Sequence, residues 1–333
     1  MTERPSLRWG FVGTGWIVTA HMCPALRATP GAELVSIVSG TPGRAATIAA
    51  AEGIPRAFPS LEAFLADDEL DAVYVASRND LHADQVIACA AAGKHVLCDK
   101  PLGLTVAECQ AMVDACRRAG VVLATNHHIR SLPTSQTIRR LIAEGRIGTP
   151  VSARVSFAGS LPELLRTWRL SGPGSGVALD LTVHSVDTLR YVLDDDVVEV
   201  AGLGGRQGLS EDSSFDGIIS ALRFARGTMA CIHDAFTVPF NTPSIELYGT
   251  HGTIRAIGAL GTRAGGTVEM INADGTVAVD VGPDIDPYVD TVAAFCDAVR
   301  GHGRPRCTGE DGLRAVEVAL AVTAAAEAPR PIR

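Results

Sequence analysis

Residues 7–17 are Leu7-Arg8-Trp9-Gly10-Phe11-Val12-Gly13-Thr14-Gly15-Trp16-Ile17. A short apolar run comes first, a glycine pair follows it, and a helix-like stretch comes next, which is the order of a strand, a turn and a helix. Gly13 permits the tight turn, and Gly15 removes a side chain that would keep a phosphate away from the backbone. The segment therefore predicts a pyrophosphate-binding turn, although Val18 stands where a third glycine would complete the G-x-G-x-x-G pattern.

The first part of the chain alternates short apolar strands with helices up to about residue 125. Such alternation is typical of a parallel sheet covered by helices on both faces, so we predict an α/β domain of the Rossmann type over residues 1–127. Further strands are expected at 33–38, 71–76, 94–98 and 121–124. Helices are expected at 44–53, 60–66, 81–92 and 105–119.

The pattern changes after about residue 128, where strand-like stretches separated by Gly and Pro turns predominate. Strands are expected at 151–157, 197–203, 217–225, 228–235, 244–249, 252–257 and 267–271. Helices are expected at 134–144, 176–193, 288–300 and 310–327. This run favours an α+β domain with an open, mainly antiparallel sheet, here over residues 128–333.

Composition excludes several classes of partner. The 333 residues carry a formal net charge of -8 and contain no run of Lys or Arg, which argues against nucleic acid and membrane surfaces. No apolar run reaches the length of a membrane span. The eight cysteines form no C-x-x-C pair and mostly have aliphatic flanks, so we interpret them as buried, reduced thiols of a cytoplasmic protein.

The residues after the second predicted strand indicate the cofactor. Ser39, Gly40 and Thr41 follow that strand, Arg44 starts the next helix, and no carboxylate lies among them. A Rossmann domain that prefers NAD usually places Asp or Glu here to bind the ribose 2′-OH. Hydroxyls, exposed backbone and a guanidinium suit the 2′-phosphate of NADP instead, so we predict NADP(H) over NAD(H). The alternative is that Arg44 is a solvated residue of the helix.

Asp99-Lys100-Pro101 follows the fourth predicted strand. In an open α/β sheet the carboxyl end of a strand faces the ligand crevice. A lysine placed there can polarise a carbonyl or stabilise a developing alkoxide, and Pro101 disfavours helical geometry at Lys100. The alternative is an ordinary surface turn.

Residues 174–187 carry a second candidate group. Asp180 and His184 are four residues apart, and Asp187 falls on the same side of the predicted helix. A carboxylate beside an imidazole orients it and favours its protonated form, which suits a proton donor near neutral pH. The alternative is an ion pair of purely structural importance.

Three further segments contain polar residues near predicted strand ends or in loops. Asn126-His127-His128 ends the fifth strand, and two adjacent histidines point to different sides, so we expect no metal site. Trp168-Arg169 suits a sugar-binding wall and an oxygen anchor, although Trp168 could equally be a core residue. His233-Asp234 lies in a strand and is interpreted as structural.

Together these motifs resemble the glucose–fructose oxidoreductase/inositol dehydrogenase family (Gfo/Idh/MocA), in the order in which that family has them and over essentially the whole chain. Stretches such as 125–128, 143–148, 168–170, 233–237 and 309–312 look like those of its members that reduce 1,5-anhydro-D-fructose. The resemblance implies an NADPH-dependent reductase or dehydrogenase acting on the carbonyl of a sugar or polyol-derived ketone. Members often pair through the open sheet, which leaves a homo-oligomer open.

The resemblance also implies residue roles. The catalytic residues would be Lys100, Asp180 and His184. The cofactor-binding residues would be Gly13, Thr14, Gly15, Trp16, Ile17, Ser39, Gly40, Thr41, Arg44, Asn79, His82, Lys100 and Asn126. The substrate-binding residues would be Lys100, His128, Trp168, Arg169, Asp180 and His184.

Three residues depart from the family pattern: Asp99 replaces a Glu, Val18 replaces the third glycine, and Phe157 stands where a substrate-binding His is expected. Two other functions stay open on the sequence. One is a glycosidase of the same fold that keeps its nicotinamide cofactor tightly bound. The other is a non-catalytic NADP-binding regulator.

Overall fold

The computed structural model describes residues 6–212 and 214–328. The chain forms two compact units. Among the described residues, the first comprises residues 6–128 and 288–313, and the second comprises residues 129–287 and 314–328.

The first unit contains a six-stranded parallel sheet in the order β3-β2-β1-β4-β5-β6. Its strands are β1 Leu7–Val12, β2 Ala32–Val38, β3 Arg56–Phe58, β4 Ala72–Val75, β5 His95–Asp99 and β6 Leu123–Asn126. This order reverses direction between β1 and β4, and ligands of doubly wound sheets bind at the carboxyl ends of the strands beside such a switch point. The predicted Rossmann architecture is confirmed, and β3 is a strand that the sequence pattern missed.

Helices cover both faces of this sheet. They are α1 Cys23–Ala28, α2 Arg44–Glu52, α3 Leu61–Leu65, α4 His82–Ala91 and α5 Val106–Ala119. Local signals explain the ends of α5: Thr105 and Glu108 form a capping box, and Gly120 ends the helix in the left-handed conformation.

A later helix, α8 (Pro287–Val299), packs in the core of the first unit. Phe295 lies 4.9 Å from Trp9 between ring centroids, and Tyr288 is fully buried in the same cluster. The division at residues 127/128 assigned this helix to the second domain. The structure differs there because the apolar side chains of α8 are buried in the cluster that surrounds β1.

The second unit contains an eight-stranded sheet in the order β14-β13-β12-β11-β7-β10-β9-β8. Its strands are β7 Pro150–Ala158, β8 Val197–Gly205, β9 Gly217–Phe224, β10 Met229–Ala235, β11 Ser244–Gly249, β12 Thr253–Ile257, β13 Thr267–Asn272 and β14 Gly275–Val279. All neighbours pair antiparallel except β7 and β10, which are parallel. The predicted open, mainly antiparallel sheet is confirmed, with β14 as an additional strand.

One face of this second sheet carries the core of the unit. The helices α6 (Pro133–Ala143) and α7 (Val183–Leu193) and the greater part of α9 (Gly309–Glu327) contribute apolar side chains to it. Seven of the eight cysteines are buried, and burial raises the pKa of Cys89 to about 12. Among the described residues, no helix combines the length and apolar character needed to cross a bilayer.

Candidate active site

The glycine turn after β1 leaves room for a ligand. Gly13 has a φ of +111°, and a Cβ there would lie 2.5 Å from the carbonyl oxygen of Ala76, so only glycine fits. Gly15 is different, because a Cβ there would come no closer than 3.8 Å to any other residue. The protein itself therefore does not require glycine at position 15, whereas a phosphate approaching the backbone would.

The segment after the glycines begins with a wide π-helical turn, Val18–Met22, and becomes α-helical only at Cys23. Val18 is fully buried, so the residue in the third glycine position is part of the core. Trp16 is 42% exposed and its ring meets His21 edge-on, with 4.8 Å between centroids. The predicted cofactor-binding residues Trp16 and Ile17 thus lie on the turn that follows the glycines.

The loop after β2 converges on the glycine turn. Arg44 Nε donates to Thr14 Oγ1 at 2.8 Å, and Thr14 Oγ1 lies 3.5 Å from Ser39 Oγ. The Thr41 amide donates to Ser39 Oγ at 3.2 Å, and Gly40 has open space around its Cβ position. Hydroxyls, backbone and a guanidinium are therefore gathered at the N-terminus of α2, where the helix dipole favours an anion.

Two predicted residues follow β4 at the same edge of the sheet. Asn79 is buried, and its Nδ2 has no hydrogen-bond partner among the described residues. His82 is also buried, its Nδ1 lies 2.9 Å from the Pro101 carbonyl oxygen, and burial lowers the pKa of its imidazole. His82 thus holds the turn that contains Lys100, a role that the sequence did not suggest.

Lys100 comes directly after β5, whose last residue, Asp99, belongs to a hydrogen-bond network with Tyr74 of β4 and Asn126 of β6. Asn126 Nδ2 donates to Tyr74 Oη at 2.9 Å and to Asp99 Oδ1 at 3.3 Å. Burial and the nearby Asp99 carboxylate hold the pKa of Tyr74 well above its ordinary value. Because Nδ2 serves both partners, Asn126 Oδ1 points away from them, and this buried acceptor has no partner among the described residues. A donor on a ligand would satisfy it.

His128 lies two residues after the end of β6, in the first unit. Its ring stacks on Tyr288 with 4.7 Å between centroids, and Tyr288 also contacts the ring of His21 at 4.5 Å. The role of His128 in substrate binding stays a prediction.

The second unit contains the remaining predicted site residues. The helix expected at 176–193 is a π-helical turn, Ala178–Thr182, followed by α7. π-helical turns often occur at functional sites. Asp180 lies in the turn and His184 in the first turn of α7, and both are 4% exposed.

Arg169 binds the predicted catalytic carboxylate. Its Nε donates to Asp180 Oδ2 at 2.9 Å, and its guanidinium lies over the Trp168 ring, 4.5 Å from the centroid. Trp168 is half-buried and is therefore not part of the fully buried core. Arg169 thus contacts both Trp168 and Asp180, while the roles of these three residues towards a substrate stay predictions.

The neighbouring carboxylate, Asp187, has a different partner. Arg130 makes a bidentate ion pair with it at 2.7 and 2.6 Å, and both side chains are buried. Sequence reasoning missed Arg130, because 57 residues separate it from Asp187 and no local spacing links the two.

A further buried acid, Asp234, lies beneath α7. Its Oδ1 accepts a 2.7 Å hydrogen bond from Ser185 Oγ, and the side chain is fully buried. Burial raises the pKa of Asp234 to about 7, against the opposing effects of the Ser185 and Thr182 hydroxyls. The sequence interpretation of Asp234 as a structural strand residue gave no sign of this shift.

The raised pKa of Asp234 predicts a pH-dependent stability. The folded state binds the proton more tightly than the unfolded state does, so the free energy of unfolding should fall as pH rises through this range. We expect the Tm of the wild type, relative to that of Asp234→Asn, to fall by about 5–10 °C between about pH 5 and about pH 8. Thermal melts of both proteins across that range provide the measurement, and a constant Tm difference would contradict it.

Both units of the chain match models of known protein families. Residues 7–127 match an oxidoreductase family with an NAD-binding Rossmann fold, and residues 135–255 match the GFO/IDH/MocA C-terminal domain. A 1,5-anhydro-D-fructose reductase of Ensifer adhaerens is 43% identical over 321 residues, covering 96% of each chain. A D-xylose 1-dehydrogenase (NADP(+)) of Haloferax volcanii is 31% identical over 323 residues, covering 96% of this chain and 98% of that one.

Solved structures show the same fold. An aldose-aldose oxidoreductase from Caulobacter crescentus, complexed with glycerol, superposes with a TM-score of 0.88 at 24% identity, covering 97% of this chain and 98% of that one. A levoglucosan dehydrogenase in complex with NADH and levoglucosan superposes with a TM-score of 0.87 at 23% identity, covering 97% of each chain.

Proposed function

The chain belongs to the Gfo/Idh/MocA oxidoreductase family, and we propose that it is an NADPH-dependent reductase for the carbonyl group of a sugar or polyol-derived ketone, with 1,5-anhydro-D-fructose as the first candidate. One similarity carries the substrate proposal, namely the 43% identity to a 1,5-anhydro-D-fructose reductase over 96% of both chains. We also propose the cytoplasm as the place of reaction.

Features of the first unit fit a nicotinamide dinucleotide. Gly15 leaves open backbone at the turn after β1, and the buried Asn126 Oδ1 can accept a hydrogen bond from a ligand donor. The preference for NADP rests on Arg44 and Ser39, which lie together at the N-terminus of α2 with no carboxylate between them. When bound, NADPH supplies the hydride for the reduction.

The chain's own residues would handle charge and proton transfer. We assign to Lys100 the stabilisation of the developing alkoxide, since a fixed ammonium lowers the energy of an oxyanion. His184 would donate the proton, a step that typically contributes about 10²–10⁴-fold to the rate. Asp180, held by Arg169, would orient His184, and the half-buried Trp168 would contact the sugar ring.

Loss of reduced-nicotinamide absorbance, followed with NADPH and with NADH over a carbonyl panel headed by 1,5-anhydro-D-fructose, tests this proposal. Rapid NADPH oxidation with that sugar is the expected result. Oxidation with other ketoses or aldehydes alone would keep the reaction type and change the substrate. Stoichiometric NAD in the purified protein with cleavage of aryl glycosides, or cofactor binding without turnover, would contradict the proposal.

Phe157 provides a test of the substrate. Its ring is half-buried at the end of β7, 6.2 Å from the His184 ring between centroids. An imidazole there could hydrogen-bond a sugar hydroxyl, so Phe157→His should lower the KM for 1,5-anhydro-D-fructose by about threefold to tenfold. Steady-state kinetics with Phe157→Leu as the apolar control would check this. A KM that is unchanged in Phe157→His would place Phe157 away from the sugar.

A further inference from the structure

Two consecutive residues of α7 contact two side chains that are directly paired in the sheet below. The His184 ring lies against Phe157 of β7, and the Ser185 hydroxyl donates to Asp234 of β10. Phe157 and Asp234 are register partners in the parallel β7–β10 pair. The first turn of α7 is therefore placed over a specific position of the sheet by one apolar contact and one directional hydrogen bond.

The two contacts differ in what they can fix. The rings of Phe157 and His184 are 6.2 Å apart and tilted by 56°, and apolar ring contacts tolerate sliding and rotation. The Ser185–Asp234 hydrogen bond is 2.7 Å long and fully buried, so its loss would leave a buried polar group without a partner. Apolar packing and the Arg130–Asp187 ion pair hold the rest of α7, so at its first turn this hydrogen bond is a directional contact beside the His184 imidazole.

The junction at which this bond acts is itself irregular. The chain changes from the π-helical turn Ala178–Thr182 to α7 at Val183, immediately before His184. Thr182 Oγ1 faces the same Asp234 carboxyl group without completing a hydrogen bond of good geometry. Asp234 thus faces the last residue of the π-helical turn as well as the first turn of α7.

The Asp234 carboxyl group makes its contacts with the helical segment from apolar surroundings. Its neighbours on the flanking strands are Phe157 and Ile218, both apolar. The titratable groups of the helical segment 178–193 are Asp180, His184, Asp187, Arg190 and Tyr191, and its two carboxylates are ion-paired with arginines. An apolar side chain would cost less to bury at this place, so the carboxyl group is explained by what it binds.

We propose that Asp234 is a positioning residue for His184, acting through its hydrogen bond with Ser185 at the junction of the π-helical turn and α7. This rests on the role of His184 in the proposed function. A hydrogen-bond acceptor of the right shape is what the position requires. Asparagine retains such an acceptor and alanine does not.

Kinetics of three variants test the proposal. Because small displacements of a catalytic group are costly, Asp234→Ala and Ser185→Ala should lower kcat by about tenfold to a hundredfold with the KM for NADPH unchanged. Asp234→Asn should stay within about threefold of the wild type, because its amide oxygen accepts from Ser185. The matched control is Ser220→Ala, which removes another buried hydroxyl from the same sheet and should leave kcat unchanged.

Thermal melts establish that each variant is folded at the assay temperature. A folded Asp234→Ala with the kcat of Ser220→Ala would overturn the proposal and leave Asp234 a purely structural residue. An Asp234→Asn variant as impaired as Asp234→Ala would overturn it as well, because the acceptor would then not be what matters.

A second readout separates this proposal from the proposed function. The imidazole resonance of His184 in histidine-labelled protein, identified by its loss in His184→Gln, should move in Asp234→Ala and stay near its wild-type position in Asp234→Asn. A wild type that turns over no carbonyl would contradict the proposed function, whereas the resonance would still report on positioning. An unmoved resonance in Asp234→Ala would overturn the positioning role whatever the activity.

Discussion

His184→Ala is expected to lower kcat for NADPH-dependent carbonyl reduction by at least about 100-fold, because general acid catalysis typically contributes about 10²–10⁴-fold. The proton donor would be lost, and alanine offers nothing that could replace it. The dissociation constant for NADPH should be unchanged, since the residues that we assign to the dinucleotide lie in the first unit and His184 lies in the second. Stopped-flow turnover and fluorescence titration of NADPH give the two quantities.

The matched control for this variant is His233→Ala. His233 is half-buried in β10 of the same unit, and we assign it no part in the reaction. It should retain wild-type turnover. A near-normal kcat in His184→Ala would remove the proton-donor assignment. Equal losses in both variants would trace the effect to the stability of the second unit, which thermal melts would show.

Most of the architecture follows from local signals. Buried strands such as β4, which is wholly apolar, and β5, whose three central residues are apolar and buried, are separated by helices, and this combination is typical of a covered parallel sheet. The missed strands are those without that signal. β3 has three residues, and β14 has four exposed residues of five, so neither has an apolar run or a buried alternating face.

The sequence predicts that a helix or strand exists more readily than it predicts which sheet that element packs against. The pattern at 288–300 predicts a helix, and the structure contains α8 there. Nothing in its periodicity says which sheet covers its apolar face, and that face packs beside Trp9, far away in the sequence. The domain division drawn from sequence order therefore differed from the structure at this helix.

The same limit applies to the site. The glycine turn and the Asp180–His184 spacing are visible because all their residues are near one another in the chain. Arg130 binds Asp187 and Asp234 binds Ser185, and the partners are separated by 57 and 49 residues in the sequence. Only the fold shows that these residues meet. Composition offers no signal for either residue, since a buried arginine or aspartate looks like a surface charge until its surroundings are known.

Arg44→Ala is expected to raise the dissociation constant for NADPH by about 10–100-fold and that for NADH by less than about threefold, because a charge-assisted hydrogen bond contributes about 1.5–3 kcal/mol. The 2′-phosphate is the only group that distinguishes the two cofactors. Arg44 is already held over the turn by its Nε bond to Thr14 Oγ1, so little ordering of the side chain remains to be done on binding.

Two further variants sharpen this test. Arg44→Lys keeps the charge and loses the planar fork, so its affinity for NADPH should fall between those of the wild type and Arg44→Ala. Arg27→Ala is the control, since Arg27 is an exposed arginine on α1 that pairs with Glu52. Equal losses for NADPH and NADH in Arg44→Ala would instead assign Arg44 to the pyrophosphate or to the fold of the loop. The specificity for NADP would then have to come from Ser39 and the N-terminus of α2 alone, a weaker source, because neither carries a full positive charge.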